Sequence, residues 1–375
     1  MHRRPIPGGS RRRYGEKGLI KRPKLNEYLS YSAPYGLGCG RFQIKRDSVL
    51  DRSRSTLAKP PIMGPVQESD VLKLIQDRVQ TQDPRVILGP GDDLAAIRSP
   101  QGVLLAGVDQ IVDGLHVLAD RVPWNRIGQK AVHRSVSDIA AMAGSPLATL
   151  ASVVLPAGTP AANVELLCAG LHETAEAVGA PLVGGDIAIH LSKDHPLTIS
   201  VTVLGEASKH GLIERGGAKA GDHLYVTGML GGSLMPDGTG HHLDFCPRVA
   251  EAHELLDALG DNLHAMIDIS DGLGRDAGRV ASASGLQVRI NTAAVPCRVD
   301  ATIEDALRDG EDYELLCAIA PGAAVPTDLG TGDPRCPLTL IGVFAAMPDS
   351  DTRRVLLEHP DGSSTDGTSL GWDHG

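Results

Sequence analysis

The chain has 375 residues, of which 22% are charged and 42% hydrophobic, the profile of an ordinary globular protein long enough for two domains with separate cores. No stretch approaches the roughly eighteen uninterrupted apolar residues of a helical membrane span, so a spanning helix is excluded. The net charge of −10 is unevenly spread: residues 1–62 hold 15 Lys/Arg against 4 Asp/Glu, while the remainder carries 21 against 42. An acidic body of this kind binds nucleic acid poorly but can hold divalent cations well.

In chain order, residues 1–62 place Arg3, Arg4 and Arg11–Arg13 among Gly and Pro, with neither helical nor strand periodicity. They read as a disordered basic extension, with Met63 as the working start, rather than as a nucleic-acid arm or a transit peptide. A first helical pattern follows at Val71, Leu72, Leu74 and Ile75. From there strands and helices alternate. Strands are expected at Arg85–Leu88, Val103–Val108, Ala148–Leu155, Pro181–Val183, Leu197–Leu204, His223–Thr227, Leu286–Ile290, Tyr313–Ile319 and Leu338–Val343. Helices are expected at Trp124–Ala143, Ala161–Val178, Pro247–Leu259 and Gly272–Ser284. A Gly-, Lys- and Glu-rich break at Glu206–Gly221 divides the body into halves, 63–208 and 209–375. The six cysteines (Cys39, Cys168, Cys246, Cys297, Cys317, Cys336) form no CxxC pair, which argues against structural zinc and for a reducing, cytoplasmic setting.

Six short motifs carry the chemistry. They are Gly89-Pro90-Gly91-Asp92-Asp93, Val108-Asp109 with Gly114 and His116, Ser137-Asp138-Ile139-Ala140-Ala141-Met142, Gly184-Gly185-Asp186, Asp268-Ile269-Ser270-Asp271-Gly272 and Gly310-Glu311-Asp312-Tyr313-Glu314-Leu315. Each alone is weak: Asp92-Asp93 by themselves read better as an Asp-rich turn and His116 as a loop histidine, while a Ser/Asp cap accounts for one of Asp268, Ser270 and Asp271 but not all three. Asp109 closes an apolar strand, where a carboxylate must be paired or metal-bound and the ligand and structural readings are even, and Asp138 falls on an interior helical turn, where an acid wants a cation. Converging carboxylates select hard cations such as magnesium, and several magnesium ions in one site imply a bound polyphosphate. Neither a GxxxxGK[ST] loop nor a strand-bound GxGxxG is present, so acidic metal ligands would replace the Walker lysine.

The ordered set resembles the thiamine-monophosphate kinases of the aminoimidazole-ribonucleotide-synthetase-like (PurM-like) superfamily over about residues 65–375, with Arg215–Asp222 and Gly371-Trp372-Asp373-His374 as further matches. The resemblance implies an α+β, two-domain PurM-like fold: an N-terminal half sheet that pairs across a homodimer, and a C-terminal α/β domain. It implies transfer of the ATP γ-phosphoryl group to thiamine monophosphate. Carried over by position, Asp93, Asp109, Asp138, Asp186 and Asp268 would hold magnesium and Asp271 a further ion. Gly185, Asp186, Arg215 and Ser270 would contact ATP, and His116, Glu311 and Trp372 the thiamine phosphate. Two anionic substrates reacting in line need charge neutralisation and alignment rather than a protein nucleophile, and a phosphate acceptor needs no dedicated base. The chain departs from the family where hydroxyls are usual, at Gly107-Val108 and Ile187-Ala188. A synthetase of the same superfamily and a non-catalytic nucleotide-binding paralogue are the competing readings; the Gly310–Leu315 motif opposes the first and the retained aspartates the second.

Overall fold

A computed structural model of the protein describes residues 83–88, 96–97, 102–332, 334–349 and 351–372. The basic segment 1–62, the pattern at Val71–Ile75, the Gly89–Asp93 motif with Asp93, and the final Asp373-His374 lie outside the described residues. A short antiparallel pair, β1 (Val86–Leu88) and β2 (Ala96–Ile97), precedes two larger sheets.

The first of these contains β3 (Leu104–Val112), β4 (Ser145–Leu155), β5 (Leu182–Ile189) and β6 (Thr198–Glu206), in the order β3-β6-β4-β5. Its strands alternate with period two, so one face is apolar and covered. On β6, Ile199, Val201 and Val203 are buried, while Ser200 and Thr202 face the other way. Helices α1 (Trp124–Ala141) and α2 (Ala161–Ala177) cover the apolar face, packing Ile127, Val132, Val136, Leu167 and Leu171 onto it. The two helices cross closely enough to require glycine, since a Cβ on Gly170 would stand 2.0 Å from the Asn125 carbonyl oxygen.

The second sheet has the order β14-β13-β9-β12-β7-β10-β8, with β11 added to β12. Its members are β7 (His223–Thr227), β8 (Leu263–Asp268), β9 (Leu286–Asn291), β10 (Leu315–Ile319), β11 (Asp328–Leu329), β12 (Cys336–Ala346), β13 (Val355–Glu358) and β14 (Ser364–Asp366). Strand β10, between β7 and the edge strand β8, is apolar throughout because both its faces are covered. Leu316 and Ala318 share a core with α4 (Leu273–Ala283) and α5 (Ile303–Arg308). Leu315, Cys317 and Ile319 pack with α3 (Val249–Leu259). Ala140 and Ala143, at the end of α1, join that last cluster and tie the halves together beside the site.

Several expected boundaries shift. β3 continues to Val112, so Asp109 lies inside a strand rather than at its end. Gly184–Asp186 lie within β5 instead of following a strand that stops at Val183. β10 begins at Leu315 rather than Tyr313, because Glu311 and Tyr313 adopt left-handed φ of 57° and 52°. Cys168, Cys297, Cys317 and Cys336 are free thiols. Cys246 is disulfide-bonded, which the scattered cysteine pattern did not anticipate.

Candidate active site

One face of α1 supplies the organising stripe. Lys130, Arg134 and Asp138 recur at four-residue spacing and so project side by side. Asp138 lies over Gly107 of β3, its Oδ2 3.4 Å from where a Cβ on that glycine would sit. Two residues along the same strand face, Asp109 Oδ1 accepts from Arg134 Nε at 3.3 Å. From the second sheet comes Asp268, at the end of β8, which accepts a 2.6 Å bond from Ser137 Oγ. Asp138 opens onto a cleft, yet its protein surroundings and then the charges of Asp268 and Asp109 raise its pKa, with Arg134 and Arg215 opposing. Burial likewise raises Asp268, against the pull of Ser137. These carboxyl groups are short of positive charge as they stand, the condition that a bound cation relieves.

The cleft occupies about 590 Å³ between Val103 and the start of β3 as far as Gly107, Asp138, Ile139, Ala141 and Met142 around the end of α1, Leu212–Arg215 and Met266–Asp268. It therefore gathers Asp138, Asp268 and Arg215. Beyond β8 the chain turns through Ser270 and Asp271, whose N–H groups donate to Asp276 Oδ2 at 3.0 and 2.9 Å. Arg279 pairs with both Asp271 and Asp276.

A smaller pocket of about 50 Å³ adjoins this turn and is lined by His116, Arg134, Ser270, Asp271, Glu311 and Trp372, among others. Three backbone bonds knit it together: Glu311 N–H to the Ser270 carbonyl (2.8 Å), Tyr313 N–H to Ile269 (2.8 Å) and Trp372 N–H to Asp271 (2.8 Å). Gly310 must be glycine here, as its φ is 69° and a Cβ would stand 2.6 Å from the Ser270 carbonyl oxygen. Each acid of the Gly310–Leu315 motif has its own cation. Glu311 pairs with the fully buried Lys130, Asp312 with Arg298, and Glu314 with Arg248 through 2.8 and 2.7 Å bonds. Tyr313 stacks on Phe245 with ring centroids 4.0 Å apart. Burial alone would raise Glu311, but Lys130, His242 and Arg134 outweigh it and hold the carboxyl at about 2. Lys130 also donates to the His116 carbonyl oxygen at 2.6 Å and sits 2.7 Å from His242 Nδ1. The His116 ring accepts the Val112 N–H at Nδ1 (3.1 Å), which fixes its orientation.

Asp138, Asp268 and Arg215 thus line the larger pocket, Asp271, Ser270, His116, Glu311 and Trp372 the smaller, and Asp109 is joined to them through Arg134. Gly185 and Asp186 stand apart. β5 lies at the opposite edge of its sheet from β3, three strand spacings or roughly 14 Å away. Asp186 is in register with Ser152, which turns it to the open sheet face, whereas Asp109 is on the helix-covered face. Gly185 and Asp186 instead border an apolar cavity of about 60 Å³ with Leu167, Cys168 and Leu171 of α2. Among the described residues no three metal-binding side chains enclose a cation site by themselves. Sequence reasoning missed Lys130, Arg134 and Asp276. The four-residue spacing of the first two with Asp138 was the available signal; nothing local marks Asp276.

This arrangement belongs to the AIR synthase related class of proteins. Residues 91–207 match the AIR synthase related protein, N-terminal domain, and residues 240–342 its C-terminal domain. Within that class the chain belongs to the thiamine-monophosphate kinase family. It is 35% identical to the thiamine-monophosphate kinase of Rhodopirellula baltica over 296 residues, 73% of this chain and 88% of that protein. It is 31% identical to that of Mycobacterium tuberculosis strain H37Rv, covering 72% and 86%. Among solved structures, a thiamine-monophosphate kinase from Stenotrophomonas maltophilia aligns with a TM-score of 0.61 at 25% identity, over 79% of this chain and 96% of that one. A ThiL complexed with AMPPCP and TMP aligns with a TM-score of 0.62 at 26% identity, over 82% and 97%. The hydrogenase maturation protein HypE in complex with ATP shares the fold, with a TM-score of 0.63 at 20% identity, over 79% and 93%.

Proposed function

We propose that the chain transfers the γ-phosphoryl group of ATP directly to the phosphate of thiamine monophosphate, giving thiamine diphosphate and ADP. The observation that carries this reading is the adjacency of two pockets, a large acid-lined cleft and a small pocket with an aromatic wall, at the Asp268–Asp271 turn. The nucleotide occupies the large cleft, where Arg215 faces its phosphates. Thiamine monophosphate occupies the small pocket, its ring against Trp372 and its polar edge toward His116 and Glu311.

The carboxylates suit magnesium, which takes a few hard oxygen ligands and completes its shell with phosphate and water. Asp109, Asp138 and Asp268, together with Asp93 and with Asp271 for a further ion, would hold it. Asp138, raised in pKa by the protein around the cleft and by Asp268 and Asp109, and Asp268, raised by burial, fit that demand. Bound magnesium supplies charge neutralisation and alignment of the phosphate oxygens. The chain's own residues bind and orient: Ser137 fixes Asp268, Asp276 fixes the Ser270-Asp271 turn, and Lys130 fixes Glu311 and the His116 segment.

The working form is a homodimer. The sheet face opposite α1 and α2 carries no layer among the described residues and is apolar along β3, with Leu104 51% and Val108 62% exposed, and more polar toward Ser200, Thr202 and Ser152. Asp186 lies on that same face, so a second copy packed there would meet it. No described helix is long and apolar enough to cross a membrane, and diffusible substrates suit an enzyme of the cytoplasm. The test is incubation of the purified protein with ATP, magnesium and thiamine monophosphate, with products resolved by chromatography. Thiamine diphosphate and ADP should form one to one. ADP alone would move the acceptor assignment elsewhere, and absence of both from folded protein would defeat the reading.

A further inference from the structure

We propose that Arg134 grips the phosphate of the acceptor and is the fixed cation by which this chain tells a phosphorylated ligand from an unphosphorylated one. The inference rests on the functional reading above and adds to it a specificity-determining residue that none of the six sequence motifs contains.

The small pocket is an unfavourable place for a phosphate without such a group. Asp271, Asp309 and Glu311 all line it, and Arg134 is the one lysine or arginine among its lining residues. The backbone offers little help. The N–H groups of Ser270 and Asp271, at the turn where a phosphate could be cradled, are already committed to Asp276.

Arg134 is placed to answer this and is not consumed by its neighbours. Its Nε reaches Asp109 at 3.3 Å, and its Nη1 is 3.5 Å from Glu311, at the limit of a hydrogen bond. Nη1 is buried and makes no hydrogen bond among the described residues. Glu311 depends on it only in part, its main partner being Lys130, with His242 3.6 Å away. A guanidinium with an unused, buried donor beside a pocket presents the planar fork that matches two phosphate oxygens. Its side chain is 13% exposed, so the charge is partly shielded from solvent and acts at short range. Arg134 also lies one helical turn from Asp138, which places it between the acceptor pocket and the carboxylate cluster, where the two phosphates must meet.

The deciding experiment is calorimetric titration of the full chain, with magnesium and AMPPCP present, by thiamine monophosphate and separately by thiamine. The wild type should prefer the phosphorylated ligand. Arg134→Leu should bind thiamine monophosphate about 10- to 100-fold more weakly, the range for losing a charge-assisted pair of hydrogen bonds. Its affinities for thiamine and for AMPPCP should stay within about twofold of wild type. Arg134→Lys keeps the charge without the fork and should fall between. Arg134→Gln is measured in parallel and decides the matter if circular dichroism finds Arg134→Leu unfolded. A neutral variant that retains the wild-type preference overturns the proposal, as does a wild type that binds both ligands equally. The kinase reading is judged separately, by whether the wild type forms thiamine diphosphate at all.

Discussion

At the scale of single residues, the site separates side chains that face substrate from those that hold them. Asp138 faces the cleft, and its charge is unfavourable there without a cation, since the surrounding protein and then Asp268 and Asp109 raise its pKa. Asp138→Asn should therefore cut turnover by about 100-fold or more, the scale of removing one electrostatic stabiliser. The same change should leave the melting temperature of the metal-free protein unchanged or higher. A variant with near-normal activity would remove Asp138 from the metal-binding set. Glu311 is the opposite case. Its carboxyl is depressed from the usual 4.5 to about 2, and Lys130 is the largest cause opposing the burial. Such a group adds stability above about pH 4.5, and that stability drains away as pH falls toward about 2. Glu311→Gln leaves Lys130 buried without its anion and should cost about 3 kcal/mol near neutral pH. The gap from wild type should narrow progressively below pH 4.5, which urea melts at several pH values would read. A gap constant across that range would mean that Glu311 contributes through packing rather than charge.

At the scale of elements, helix α1 does most of the positioning, and its burial depends on the crossing with α2. Gly170 lets the helices approach until the Asn125 carbonyl oxygen occupies the space of a side chain. The obstacle is backbone, so no rotamer change relieves it. Gly170→Ala should destabilise the fold by about 1–3 kcal/mol by overpacking, seen as a lower urea midpoint at unchanged slope; an unshifted midpoint would mean that the helices can separate freely. This level was largely legible in the sequence, because α1, α2, β6 and β7 announce themselves by period and by apolar runs. β8 was not. Leu263–Asp268 is buried along nearly its whole length, so it lacks alternation, and His264 and Asp268 break its apolar run. β3 was read short at Asp109 because a carboxylate resembles a strand end. Here the acid is instead accommodated inside the strand by Arg134, which arrives from α1 through the tertiary fold. The Gly310–Leu315 motif was recognised as a motif, but its three separate cation partners come from distant elements that no local pattern announces.

At the scale of the whole molecule, the first large sheet has a layer of helices on one face and, among the described residues, none on the other. The open face is in register across three strands: Leu104, Ala106 and Val108 of β3 stand beside Glu206, Leu204 and Thr202 of β6, with Leu150 of β4 following. A sheet needs its apolar face covered, and a large exposed apolar patch marks an association surface. Asp186 belongs to this face while Asp109, Asp138 and Asp268 gather on the other side, so one chain divides the aspartates that the sequence motifs would unite. Val108→Asp tests whether a second copy reunites them. The substitution lies on an exposed strand position, 62% accessible, and removes no core contact within the chain. Analytical ultracentrifugation should find the wild type dimeric and the variant monomeric, with circular dichroism unchanged. Turnover should fall with dimer content rather than with folding, and it should recover partly as protein concentration is raised. A monomeric variant with full activity would show that a single chain forms the complete site and that Asp186 is dispensable to it; a variant that remains dimeric would place the association surface elsewhere.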